Sequence, residues 1–154
     1  MTLHVAELDR SAAVQLALPG VTGVSGPSWA PDSKRIAFGC SFGRDVFEIC
    51  VVSRDGTGFS RLTDDAALDT SPAWSPDGSR IAFVTTRFTG QEIALMTPSG
   101  TGVTKLTSGI DPAWSPDGSK LVFARNDGLF TIGADGSNLT RLTTGRHRAP
   151  AWRR

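Results

Sequence analysis

Three short apolar stretches occupy equivalent places along the chain: Ile36-Ala37-Phe38, Ile81-Ala82-Phe83-Val84 and Leu121-Val122-Phe123-Ala124, each entered through a basic residue, Arg35, Arg80 or Lys120. Large residues recur at every second position with small ones between them, so each stretch predicts a β-strand with a bulky face, a slim face and neighbours on both sides. A further strand is expected behind each, over 46–52, 92–97 and 129–134. The pairs Asp55-Gly56, Ser99-Gly100 and Asp135-Gly136 then predict tight hairpin turns, because glycine accepts a positive φ. Closing strands follow over 59–63, 103–107 and 139–143, each ending in Leu-Thr. Residues 3–8 and 13–18, around a turn at 9–12, read as a weaker copy of the third and fourth strands.

A repeated phrase punctuates these strands: Pro27-Ser28-Trp29-Ala30-Pro31-Asp32, Pro72-Ala73-Trp74-Ser75-Pro76-Asp77-Gly78, Pro112-Ala113-Trp114-Ser115-Pro116-Asp117-Gly118 and Pro150-Ala151-Trp152. Its tryptophans stand 45, 40 and 38 residues apart, the period of a four-stranded propeller blade. The pattern therefore predicts one all-β domain over 1–154, a β-propeller of four-stranded antiparallel blades with three and a half to four blades per chain. Its parts are a partial blade (1–26), three blades (27–71, 72–111 and 112–149) and a closing strand (150–154). In this scheme Trp29, Trp74, Trp114 and Trp152 pack between blades, while Asp32, Asp77 and Asp117 serve the turns by accepting backbone hydrogen bonds after a φ-restricting proline.

The phrase resembles the WD40-like repeats of the TolB family of propellers, in which Pro-x-Trp-Ser-Pro-Asp-Gly-x-x-Ile-Ala-Phe is followed by a strand, Asp-Gly and a Leu-Thr ending. The likeness covers 27–152; Ala30 and Ser33 depart from it, and the last copy breaks off into Arg153-Arg154. It implies a propeller used mainly for protein recognition, in some relatives beside a peptidase, and often in the periplasm or outside the cytoplasm.

Composition narrows the function. The net charge of +1 and the scattered Lys and Arg exclude a basic nucleic-acid face. No apolar run is long enough to span a bilayer, and the N-terminus carries no signal-peptide pattern, so the chain as written is expected to be cytoplasmic. Arg146, Arg148, Arg153 and Arg154 form a basic cluster read as a loose tail. Cys40 and Cys50, the only cysteines, are expected to be reduced, packed thiols lying diagonally across a hairpin. His4 and His147 are the only histidines, and no nucleophile elbow, phosphate loop or paired-histidine zinc motif is present; no catalytic residue, metal or cofactor is expected.

Where the repeats differ, recognition is expected. The loops joining strands two to three and blade to blade share one face and carry Phe42, Arg44, Asp64, Asp65, Asp69, Arg87, Phe88, Asp111, Arg125, Arg146 and His147. Phe42 and Phe88 beside Arg44 and Arg87 have the make-up of a binding hot spot. The acidic group Asp64, Asp65 and Asp69 reads as a solvated turn able to attract a basic peptide or to hold Ca²⁺ weakly. The expected partners are a peptide or protein segment, bound on this face or in the central channel, and a second copy of the chain closing an eight-bladed ring. A self-closed four-bladed ring, a ligand-free assembly unit, a piece of a longer propeller and an accessory domain of a peptidase stay open as alternatives.

Overall fold

The computed structural model describes residues 2–6, 13–43 and 46–152. Among them are fourteen strands and no helix. The first pair, β1 (His4–Val5) and β2 (Val14–Gln15), is antiparallel. Three four-stranded meanders follow. Blade one contains β3 (Gly23–Trp29), β4 (Arg35–Ser41), β5 (Glu48–Ser53) and β6 (Ser60–Arg61). Blade two contains β7 (Asp69–Trp74), β8 (Ile81–Thr85), β9 (Glu92–Met96) and β10 (Thr104–Ser108). Blade three contains β11 (Ile110–Trp114), β12 (Lys120–Arg125), β13 (Gly128–Gly133) and β14 (Thr140–Arg141). This is the expected all-β architecture, with about three and a half blades. The turn at 9–12, residues 7–8, Arg44, Arg153 and Arg154 lie outside the described residues.

The core lies between the blades, and the period-two pattern explains its make-up. Ile81 and Phe83 point back to meet Ile49 and Val51 of blade one, while Ala82 points forward to Trp114, Leu121 and Phe123 of blade three. Bulk thus faces the preceding blade and the small residue faces the next, so successive sheets nest. The leading pair caps blade one in the same way, Leu3 and Leu16 covering Ile36 and Phe38. Burial of each such side chain contributes about 1.5–3 kcal/mol.

Each first strand slips register once, between Ser25 and Ser28, Thr70 and Ala73, and Ile110 and Ala113. Within each slip the residue before the proline is left-handed: Gly26 at φ 51°, Ser71 at 52° and Asp111 at 53°, with Ala149 at 46° in the fourth copy. A left-handed residue makes the bulge, and the proline lacks the N–H that a continuous ladder would need.

The cysteines correct the sequence expectation. Cys50 pairs directly with Phe38, and Cys40 with Glu48, so the two are indeed diagonal, yet they form a disulfide with Cα atoms 5.9 Å apart. Sheet twist brings one diagonal of an antiparallel pair together, which a flat reading of the register does not include. We expect the oxidised protein to show no free thiol to Ellman's reagent under denaturing, non-reducing conditions. The Cys40→Ala/Cys50→Ala variant should lose about 2–3 kcal/mol in urea unfolding, the loop-closure contribution of a link of this span; two titratable thiols in the untreated protein would contradict the bond.

Residues 146–152 are likewise not a loose tail. The Ala149 amide donates to Asp111 Oδ2 at 3.1 Å and the Trp152 indole to the Ala113 carbonyl at 3.0 Å, laying the segment along blade three.

Candidate functional site

The repeated phrase lines a concavity that all four of its copies share. A groove of about 640 Å³ is lined by Trp29, Pro31, Trp74, Pro76, Trp114, Pro116 and Trp152, together with the alanines and serines between them. The first three repeats contribute the end of the first strand and the start of the turn after it, and the fourth contributes Ala151 and Trp152, so the groove runs where these segments stand side by side. The stereotyped face, whose turns the sequence assigned to structure alone, therefore holds a depression of its own.

Its wall is a relay of indoles. The Trp114 N–H donates to the Ala73 carbonyl at 3.0 Å, as Trp152 does to Ala113. Arg80 lies 5.1 Å over the Trp114 ring and Arg35 lies 4.8 Å over Trp74, which gives these two basic residues before the second-strand apolar runs a packing role. The junction of blades one and two is irregular. Ser28 stands where the other repeats have alanine and its Oγ accepts from the Trp74 amide at 3.2 Å, while the buried Trp74 indole N–H finds no partner among the described residues.

The turn carboxylates are committed locally. Asp117 Oδ1 accepts from the Ser115 hydroxyl at 2.6 Å and the Ser119 amide at 3.0 Å; Asp77 does the same with Ser75 and Ser79, and Asp32 accepts from the Lys34 amide and Arg35. The Ser75 and Ser115 hydroxyls, then the amides, hold the Asp77 and Asp117 carboxyls down to about 2. A carboxyl depressed in the folded state stabilises above its unfolded value near 3.9 and loses that contribution as pH falls through the folded value. Urea midpoints should therefore drop between about pH 4 and pH 2, and drop less steeply in Asp77→Asn/Asp117→Asn. Equal slopes for the two proteins would show that these turns do not govern acid stability.

On the variable face the structure brings together most of the residues singled out in the sequence, but as ties within and between blades. Arg87 Nη2 lies 2.5 Å from Asp69 Oδ2 and 3.1 Å from Asp65 Oδ2, linking blade two to the loop after blade one. Asp69 is fully buried and is no part of a solvated turn, whereas Asp64 and Asp65 are exposed. Burial pushes its carboxyl up, against the pull of the Thr85 and Thr63 hydroxyls and Arg87. Glu48, Asp65 and Asp69 place carboxylate oxygens within 4.8 Å of one another, and the guanidinium groups of Arg61 and Arg87 occupy that cluster. Exposed Asp64 meets Arg61 at 2.7 Å.

Arg125 repeats the tie at the next junction, with Nη2 2.7 Å from Thr107 Oγ1 and its plane 4.7 Å over Phe130. Phe42 packs against the core of blade one beneath Arg61, whereas Phe88 stays exposed near Lys105. Asp111 holds the Ala149 amide, Arg146 lines a small cavity beside Arg125, and exposed His147 donates from Nε2 to the Thr144 carbonyl. Glu48, Arg61, Glu92 and Lys105 were not anticipated. Their signal lay in the repeats: a glutamate opens the third strand in two blades, and a basic residue stands two places before the Leu-Thr threonine in all three.

A family model described as the TolB beta propeller domain matches residues 2–153. The chain belongs to the TolB β-propeller family. It is similar in fold to TolB from Acinetobacter baumannii, with a TM-score of 0.79 at 21% identity over 93% of this chain and 38% of that one. The putative TolB from Agrobacterium tumefaciens gives 0.71 at 26% identity over 80% and 51%. Puromycin hydrolase gives 0.75 at 17% identity over 94% and 26%, which shows the propeller fold alone. The chain thus spans between about two fifths and half of the TolB structures it matches. No curated protein matches the sequence. A TolB-type propeller is a fold that commonly mediates protein interaction and is typically non-catalytic, although some structural neighbours are enzymes.

Proposed function

We propose that this TolB-type propeller is a non-catalytic recognition module that holds an extended peptide or protein segment in the groove between Trp29 and Trp152. The observation carrying this reading is the groove itself, about 640 Å³ and walled by indole and proline rings from four repeats. Aromatic and proline surfaces offer large, rigid contact area at little cost in side-chain entropy. The variable face fits the role less well, because Asp65, Asp69, Arg87 and Arg125 are engaged in holding the blades together.

Self-association would set residues 146–152 of one copy beside Trp29 of the next, supplying a first strand. The leading pair β1–β2 supplies a third and fourth strand, so a ring of two copies needs a further second strand at each seam. The Cys40–Cys50 bond supports an oxidising compartment, in keeping with the family's frequent location outside the cytoplasm.

Display selection of random peptides against the protein tests the recognition reading. The sequence contains four tryptophans and no tyrosine, so peptide binding in the groove should shift an emission that comes from indoles alone. Pro116→Glu should abolish the shift. Peptides that bind equally well to Pro116→Glu would move the site elsewhere.

A further inference from the structure

The two junctions between complete blades share a plan but not the same charges. At the first, Asp69 opens β7 opposite Thr85, and Arg87 reaches its carboxylate and that of Asp65. At the second, Gly109 stands as far before Trp114 as Asp69 stands before Trp74, and Arg125 occupies the place of Thr85. Arg125 donates from Nε to the Ser108 carbonyl at 2.9 Å and from Nη2 to the Thr107 hydroxyl at 2.7 Å, and its plane lies 4.7 Å over Phe130. Both acceptors are neutral. Among the described residues Arg125 pairs with no carboxylate, and its Nη1 donors are uncommitted. The chain cannot supply the missing acid from the matching place, because a Cβ on Gly109 would meet Phe123 Cδ2 at 2.5 Å and the φ of 150° there favours glycine. At this junction lies a cavity of about 390 Å³ whose lining includes Gln91, Ser108, Gly109, Arg125, Asn126 and Asp127.

We propose that this cavity binds a carboxylate brought by another molecule, either an acidic side chain of a peptide or a peptide's C-terminal carboxylate, seated against Arg125. The external group takes the part that Asp69 plays for Arg87 at the first junction. A guanidinium presents paired N–H groups that match a carboxylate, and a half-buried one is screened less than an exposed one. The side-chain amides of Gln91 and Asn126, both exposed at the rim, can donate to the same oxygens. Asp127, the carboxylate in the lining, is held by Arg141 at 3.4 Å, and Glu92, paired in the sheet with Ser108, is bound to Lys105. On the other side of Arg125 and Asn126 a smaller cavity of about 240 Å³ is lined by Arg146, His147 and Arg148. Arg125, Arg141, Arg146 and Arg148 outnumber Asp111 and Asp127 here, so a negative group is drawn toward the site. The cavity holds one acidic group rather than an extended segment, and it shares no lining residue with the indole groove.

The test follows the amide spectrum of the isotope-labelled full chain during titration with three short synthetic peptides. The first carries internal Asp and Glu and an amidated end, the second carries Asn and Gln in their places and a free C-terminal carboxylate, and the third carries Asn and Gln and an amidated end. Saturable shifts of the Ser108 and Gly109 amides and of the Arg125 Nε signal are expected with a carboxylate peptide and not with the neutral one. Binding of the first alone assigns the site to an acidic side chain, binding of the second alone assigns it to a chain end, and binding of both assigns it to the carboxylate itself. Asn126→Asp sets a negative charge on an exposed turn at the rim and should weaken binding about tenfold, as should Arg125→Gln, while Pro116→Glu in the groove should leave it unchanged. Should Arg125→Gln unfold the junction, Asn126→Asp decides alone. Absence of shifts with both carboxylate peptides overturns the proposal, as does binding that Asn126→Asp leaves unchanged or that the neutral peptide reproduces.

Discussion

Trp114→Ala is expected to destabilise the protein by about 3–5 kcal/mol, the range for deleting a large buried aromatic. Three contributions are lost together: burial between Leu121 and Ala82, the 3.0 Å bond to the Ala73 carbonyl and the stacking of Arg80. The bond carries a further cost, because its removal leaves a carbonyl at the junction without its donor. Trp29→Ala provides the internal comparison. It is the same residue of the same phrase but nearly half exposed, and should cost no more than about 1 kcal/mol. Urea unfolding of the two variants measures the difference directly. Equal losses would mean that the tryptophans stabilise their own blades and that the relay between blades contributes little.

Arg87→Ala should be comparably damaging, at about 3–5 kcal/mol, because it strands a fully buried carboxylate without its cation. The pH dependence separates this mechanism from lost packing against Phe83. Asp69 already has a carboxyl raised by burial, and removing Arg87 raises it further. A carboxyl raised in the folded state binds more protons there than in the unfolded chain, so its cost is present at neutral pH and is relieved as pH falls through the folded value. The penalty of Arg87→Ala should therefore shrink as pH is lowered from neutrality, opposite in sign to the acid loss expected from Asp77 and Asp117. Asp69→Asn should also absorb most of the effect of Arg87→Ala when the two are combined. Additive losses, or a penalty independent of pH, would assign the role of Arg87 to packing.

Period-two alternation in Ile-Ala-Phe and the spacing of Trp29, Trp74, Trp114 and Trp152 were enough to read the blades, because both are local consequences of a sheet packed on two sides. What escaped the sequence depends on relations between repeats. Ser75 and Ser115 look like turn residues in any reading, but the indoles above them line a groove only when blades stand side by side. Asp69 reads as one acid among three in a loop; its burial is set by β7 passing beneath Arg87, some eighteen residues away along the chain. The disulfide was missed for a reason of the same kind, since register places Cys40 and Cys50 apart and twist brings them together. Arg35, Arg80 and the basic residues before Leu-Thr could have been identified by asking why a charge recurs beside an aromatic in every copy.

The indole relay has a consequence for how such chains change length. Each repeat carries one donor, its tryptophan, and one acceptor, the carbonyl just before it, so a stretch of roughly 40 codons copied or deleted in register brings or removes a matched donor and acceptor. The seam left by such an event closes with the same atoms as before, and the chain can gain or lose a blade without compensating substitutions elsewhere. Where a repeat has drifted, as at Ser28, the Trp74 indole lacks its usual partner, and that seam is where an added or lost blade would be felt first.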